Sequence, residues 1–213
     1  MTALLLLLSG LIGYISGSVP FGFLYVKLTT GKDLRNEGSG RTGGTNSLRA
    51  AGTAVGVFTA FSDVLKGLAA VLLTRYFFAD ALGDMLPWAE AFAGIMAVTG
   101  HNWSIFLGFK GGAGTGPNVG WAGAIWWPMI PIAFFVMLFM YLVVGMASVA
   151  SMSMAAIIPI MFAVLLIMGN TSIHIAYVVG GVVTGMIVLW ALRPNIKRLF
   201  EGNERVVGPR AKK

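Results

Sequence analysis

Apolar residues run through this chain in long uninterrupted stretches, and the polar residues gather between them. Windows of roughly 20 residues, the length of a helix that spans a hydrocarbon core, pick out apolar stretches at 3–28, 53–78, 86–107, 115–144, 147–168 and 171–192. The fourth is too long for one crossing and contains Trp126-Trp127-Pro128-Met129-Ile130-Pro131. Two prolines break a helix and two tryptophans suit a membrane interface, so it divides into a short helix over 115–126 and a longer one over 129–144. Seven helices result.

Charge placement orients them. With seven crossings and the N-terminus outside, one face receives Lys32, Arg35, Arg41 and Arg49, then Lys110, then the basic tail from Arg193 to Lys213; the other keeps Asp80 and Asp84. Six crossings place the basic tail opposite the basic first loop, which the positive-inside rule disfavours. The expected fold is an all-α integral membrane protein, a seven-transmembrane-helix bundle with its N-terminus outside and its C-terminus cytoplasmic. Residues 1–213 form one domain, ending in a short basic cytoplasmic tail over 193–213. Nothing in the chain reads as a linker or a long-period repeat.

Composition agrees. The 213 residues are 57% hydrophobic and 11% charged, against about 25% charged in soluble proteins, and the mean hydropathy is +0.82. The net charge of +7 reads as topology and attraction to anionic lipid, with no nucleic-acid partner. Met1 and Thr2 lead straight into apolar residues without a basic n-region, so the first segment reads as a retained helix. The chain has no cysteine, which removes disulfides, zinc-thiolate sites and thioester intermediates on the protein.

The chemistry then concentrates in two glycine-rich polar segments on the inner face. The first runs from Gly38 through Ser39, Gly40, Arg41, Gly43, Gly44, Thr45 and Asn46 to Arg49; the second is Gly108-Phe109-Lys110-Gly111-Gly112-Ala113-Gly114. Glycines permit close backbone approach, bare amides accept an anion, and guanidinium forks match phosphate geometry. A lipid-headgroup contact and a substrate site both fit that composition; the density of hydroxyl, amide and arginine groups favours a site for a phosphorylated molecule. The start of the C-terminal tail falls on the same face, so three polar elements can converge.

Gly17-Ser18-Val19-Pro20-Phe21-Gly22, Asp33 to Gly40, Gly44-Thr45-Asn46-Ser47-Leu48-Arg49, Asp63-Val64-Leu65-Lys66-Gly67, Gly100-His101 and Phe109-Lys110-Gly111-Gly112 stand in the order and spacing of one family. From the first helix to Asn195 the chain resembles the PlsY-type bacterial acyl phosphate:glycerol-3-phosphate acyltransferases. The resemblance implies transfer of a fatty acyl group from acyl phosphate to the 1-hydroxyl of glycerol 3-phosphate. The product is lysophosphatidic acid, an intermediate of phospholipid biosynthesis. It also implies a multi-pass protein of the bacterial inner membrane with its active site toward the cytoplasm. Neither cofactor nor metal is expected, and the partners are the two substrates, membrane lipid and neighbouring enzymes of phospholipid synthesis. By the same resemblance Ser39, Arg49 and Asn195 are the catalytic candidates. Arg41, Thr45, Asn46, Lys66, His101, Lys110, Gly111, Gly112 and Gly114 are candidates for substrate binding.

The chain departs from the family pattern in three places. Ala113 stands where the family's second glycine loop has a phosphate-binding lysine, and Leu192 stands where it has a histidine before Arg193. Arg41-Thr42-Gly43-Gly44 replaces Asn, an aliphatic residue, Gly and Ala, and Arg41 is expected to stand in for the missing ammonium. A catalytically impaired paralogue that binds phosphorylated lipid or substrate therefore stays open beside the enzyme, as does a small transporter.

The remaining polar residues divide by position. Asp63 and Lys66, one helical turn apart inside the second span, are expected to pair, with substrate contact by Lys66 as the sharper alternative. His101, at the inner end of the third span, reads as an interfacial hydrogen-bonding group more readily than a catalytic one. Neither His101 nor His174 has an aspartate five residues on. Glu90 has no evident partner.

Overall fold

The structure is a computed structural model and describes residues 1–207; the basic residues Arg210, Lys212 and Lys213 of the predicted tail lie outside the described residues. The fold is all-helical: α1 (Thr2–Ser18), α2 (Phe21–Thr30), α3 (Gly44–Ala51), α4 (Thr53–Leu82), α5 (Leu86–Asn102), α6 (Thr115–Ile125), α7 (Met129–Val143), α8 (Ala147–Ile167), α9 (Ile175–Ala191) and α10 (Arg193–Phe200). Single 3₁₀ turns sit at Leu34–Asn36, Gly83–Met85 and Ile105–Leu107.

The division of 115–144 at the Trp-Trp-Pro segment is observed. The first predicted span is corrected: it is two helices, broken at Val19 (φ −58°, ψ 118°) and Pro20. Proline supplies no N–H and pushes the residue before it out of helical geometry. By length and apolarity, Thr2–Thr30, Thr53–Leu107 and Ala147–Ile167 are able to cross a membrane, and the pair α9 and α10, bent by 64°, adds a fourth candidate. The second stretch turns back at Gly83 (φ 47°), so that α4 and α5 lie side by side. Large apolar side chains such as Leu7, Phe61, Phe135, Ile160 and Met186 point outward, as expected of a protein solvated by lipid.

Small residues let the helices approach closely, as is usual where lipid supplies no hydrophobic drive between helices. On α1, Gly13 and Gly17 lie against the main-chain carbonyls of Ala93 and Ala97 on α5, where a methyl group would collide. The α6 to α9 side is closed by aromatics: Trp121 packs on Phe162 at 5.6 Å between ring centroids, and Phe162 on Tyr177 at 6.1 Å.

Two buried polar clusters lock the helices. Glu90, 1% exposed, accepts hydrogen bonds from Arg75 Nε at 2.6 Å and from the Tyr177 hydroxyl at 2.6 Å. Asp63 and Lys66 pair at 2.9 Å, and the same ammonium donates to the Val19 carbonyl at 2.9 Å. Lys66 thus adds a second donor to an oxygen at the break between α1 and α2 that otherwise accepts only the Phe21 N–H, at 3.2 Å.

Candidate functional site

The first polar loop is built around one amide. Asn46, 3% exposed, accepts the Ser39 N–H through Oδ1 at 3.0 Å. Its Nδ2 donates toward the carbonyls of Leu34, Glu37 and Arg41 at 3.3, 2.9 and 2.9 Å. Gly38 (φ 54°) and Gly40 (φ 71°) supply the left-handed backbone that wraps the chain around this side chain. Asn46 is therefore fully engaged with the loop, while Ser39, Thr45 and Arg49 remain exposed. None of these three makes a side-chain hydrogen bond or ion pair among the described residues. Loss of hydration and repulsion from Arg205 pull Arg49 below the usual arginine range, and it remains a cation at neutral pH. Upstream, Asp33 closes the turn by accepting from the Arg35 main chain at 2.9 Å and from its guanidinium at 2.7 Å. These bonds hold the pKa of the half-buried Asp33 carboxyl at about 2.

The C-terminal junction reaches the same place. Arg41 donates from Nη1 to Asn195 Oδ1 at 2.6 Å and from Nη2 to the Ala191 carbonyl at 2.7 Å. The other side of the Asn195 amide donates to Glu204 Oε1 at 2.8 Å, which also accepts from the Ser148 hydroxyl at 2.8 Å. Arg198 Nε meets Glu204 Oε2 at 3.1 Å. Burial raises the Glu204 carboxyl, but the bonds from Asn195, Ser148 and Arg198 outweigh it and hold the group below its usual range. Burial, then the charge of Arg198, lower Arg41. One carboxylate thus sits among arginines from three segments, which leaves an excess of positive charge for a further anion.

The second loop presents its amides selectively. The N–H groups of Gly111 and Gly112 already bond the carbonyls of Asn102 and His101 at the end of α5, at 3.1 and 3.0 Å. Those of Ala113, Gly114, Thr115 and Gly116 have no carbonyl partner among the described residues, as expected of the first turn of a helix. Gly114 (φ 81°) caps α6, and Asn102, 5% exposed, lies beside it with both amide atoms unpartnered. Lys110 is exposed at the loop. Ala113 packs against the apolar cluster that contains Leu192, so these two of the departures from the family pattern serve hydrophobic packing.

Arg41 joins the first loop to Asn195, and Leu192 carries the α9 end toward the second. Two sequence candidates lie deeper. His101 is 5% exposed, with Nε2 against Gly112 and Nδ1 3.5 Å from Asp63; Lys66 is enclosed by Asp63 and Val19. Sequence reasoning missed Glu204 and Ser148. Glu204 is the lone acidic residue of a basic segment after Glu201, a signal that goes unnoticed in a tail read for its positive charge.

A family profile described as Glycerol-3-phosphate acyltransferase matches residues 7–202. The chain is 37% identical over 211 residues to the glycerol-3-phosphate acyltransferase of Parasynechococcus marenigrum (strain WH8102), covering 99% of this chain and 92% of that one. It is 38% identical over 205 residues to that of Rubrobacter xylanophilus, covering 94% of each. A solved structure of PlsY (YgiH), an integral membrane glycerol 3-phosphate acyltransferase, in its glycerol 3-phosphate form superimposes with a TM-score of 0.81 at 33% identity, over 95% of this chain and 96% of that one. The lysophosphatidic acid form gives a TM-score of 0.79 at 30% identity, over 95% of both chains.

Proposed function

The chain belongs to the glycerol-3-phosphate acyltransferase family, and on that premise we propose which of its groups carry the reaction. The protein is an integral membrane acyltransferase that forms lysophosphatidic acid from glycerol 3-phosphate, with acyl phosphate as donor. Both substrates are anions, and the donor is a mixed anhydride with a good leaving group. The protein's task is to hold the two phosphates close, offset their repulsion and align a hydroxyl with the carbonyl.

The observation that supports this most is the set of unengaged donors around the arginine-rich junction. Among the described residues, Arg49, Ser39 and Thr45, in the segment that Arg41 ties to Asn195, make no side-chain hydrogen bond, and the amides of Ala113 to Gly116 have no carbonyl partner. Arg49 and the two hydroxyls receive the phosphate of glycerol 3-phosphate, and the free amides of the second loop receive the phosphate of the donor. The 1-hydroxyl oxygen then bonds to the acyl carbon, the bond from that carbon to the phosphate oxygen breaks, and the hydroxyl proton leaves on the departing phosphate. No side chain is required as a strong base, and the enclosed positions of His101 and Lys66 suit structural roles.

Seven crossings, with α1 and α2 together as the first and α4 to α9 as the others, fit this site. The Arg41–Asn195 bond needs the loop after the first crossing and the end of α9 on one side, hence an even number of crossings between them. The basic residues of that side support a site that faces the cytoplasm, and membership of the family supports an inner-membrane location. The test is a kinetic comparison of Arg49→Lys, Arg49→Ala and Ser39→Ala with the parent, following lysophosphatidate and phosphate release. Arg49→Ala is expected to lose at least 100-fold in kcat/KM, and Arg49→Lys less. Parent-like kinetics in all three variants would remove the assignment.

A further inference from the structure

We propose that Arg41 is a positioning residue: it sets the conformation of Asn195 and of the tail that follows, and does not itself bind the substrate phosphate. The inference rests on the placement of Asn195 in the site made above.

The need for such a residue arises at the bend between α9 and α10. The Asn195 main-chain N–H, four residues after Ala191, bonds instead to Leu192 O at 2.8 Å. Pro194, three residues after it, has no N–H. The Ala191 carbonyl is left without a main-chain donor, and a helix end in that state needs one from elsewhere. Arg41 Nη2 supplies it at 2.7 Å, while Nη1 holds Asn195 Oδ1 at 2.6 Å.

That second bond decides which way the Asn195 amide faces. With Oδ1 held by Arg41, Nδ2 points to Glu204 at 2.8 Å. Glu204 in turn takes the hydroxyl of Ser148 in the first turn of α8, and Val207 N–H closes onto the Gly145 carbonyl at 2.6 Å. The Arg41 main chain is anchored in the first loop, because Asn46 Nδ2 donates to its carbonyl at 2.9 Å. A chain of single bonds therefore runs from the first loop through Arg41, Asn195 and Glu204 to α8. A planar fork holds its two donor nitrogens at a fixed separation matched to these two acceptors; an ammonium must place both bonds on one nitrogen.

Arg41→Lys, Arg41→Gln and Asn195→Ala, with the double variant Arg41→Gln/Asn195→Ala, separate positioning from direct binding. Amide hydrogen exchange of residues 200–207 in the substrate-free protein is measured beside steady-state kinetics. Both Arg41 variants are expected to speed exchange in that segment at least tenfold without altering α4 and α5. Both should lower kcat 10- to 100-fold while the KM for glycerol 3-phosphate stays within threefold. The double variant should fall no lower than Asn195→Ala, because coupled residues are not additive, and added guanidinium should restore part of the kcat of Arg41→Gln.

The proposal is overturned if Arg41→Lys keeps near-parent activity, if the loss lies in KM with tail exchange unchanged, or if the two substitutions multiply. Should Arg41→Gln fail to fold, Arg41→Lys and the exchange measurement still decide. Should the parent protein lack activity, exchange alone tests Arg41, so failure of the functional reading is told apart from failure of this one.

Discussion

Replacing Asn46 separates a group that binds substrate from one that shapes the loop around it. The side chain is 3% exposed and makes one bond as acceptor and three contacts as donor, two N–H groups being shared among the carbonyls of Leu34, Glu37 and Arg41. At about 1 kcal/mol net for each hydrogen bond, the set contributes roughly 3–4 kcal/mol to the order of the loop. If half survives through water in the Asn46→Ala variant, the loss is about 2 kcal/mol, or roughly 30-fold in the population of the ordered loop. A comparable fall in kcat/KM is expected. Asn46→Asp is the sharper change: it keeps the acceptor for Ser39 N–H but turns an anionic oxygen toward three carbonyls. Its loop should exchange faster than that of Asn46→Ala. Hydrogen exchange at residues 35–41 is read without substrate, so repulsion of a bound phosphate cannot produce the ranking. Parent-like protection in both variants, or better protection in Asn46→Asp than in Asn46→Ala, would refute the reasoning.

Other outcomes are equally definite. Lys66→Met leaves Asp63 buried without its cation and removes the shorter of the two hydrogen bonds to the Val19 carbonyl, and should destabilise the protein by about 3–5 kcal/mol. Detergent unfolding should show a much smaller effect of adding Asp63→Asn to it. Because the folded Glu204 carboxyl lies below its ordinary 4.5, docking of the tail is favoured wherever the undocked group is ionised. Protection of residues 201–207 should therefore be flat at neutral pH and fall only as pH drops from the ordinary 4.5 through that depressed value; a loss between pH 6 and 8 would point to another group. The chain contains no cysteine, so single cysteines at Thr45 and Asp84 report sidedness cleanly. An impermeant thiol reagent should reach them from opposite faces of oriented vesicles, and labelling of both from one side would contradict seven crossings.

The elements that could be read from sequence are those written in local pattern. Apolar runs gave the helices within a few residues, and Trp126 to Pro131 marked the division between α6 and α7, because hydropathy and proline act where they stand. The break at Val19 and Pro20 was marked by the same proline signal but lay inside an apolar run that dominated the reading. Partners separated along the chain were invisible: Glu90 meets Tyr177, and Lys66 meets Val19, only once the helices are packed. The site shows the same division. Residue types picked out Ser39, Thr45 and Arg49 as donors for an anion, and their side chains make no hydrogen bond among the described residues. Side-chain direction separated Asn46 from that group, and it joined Arg41 to Asn195 and Ala191. Glu204 belongs to the site only because the tail folds back onto α8.

The most direct measurement uses the purified chain in sealed proteoliposomes with acyl phosphate and labelled glycerol 3-phosphate outside. Lysophosphatidic acid and inorganic phosphate are expected to appear in equal amounts, to require both substrates, and to leave the label in the bilayer. Bound glycerol 3-phosphate with no product, or unacylated label carried into the vesicle lumen, would contradict the account.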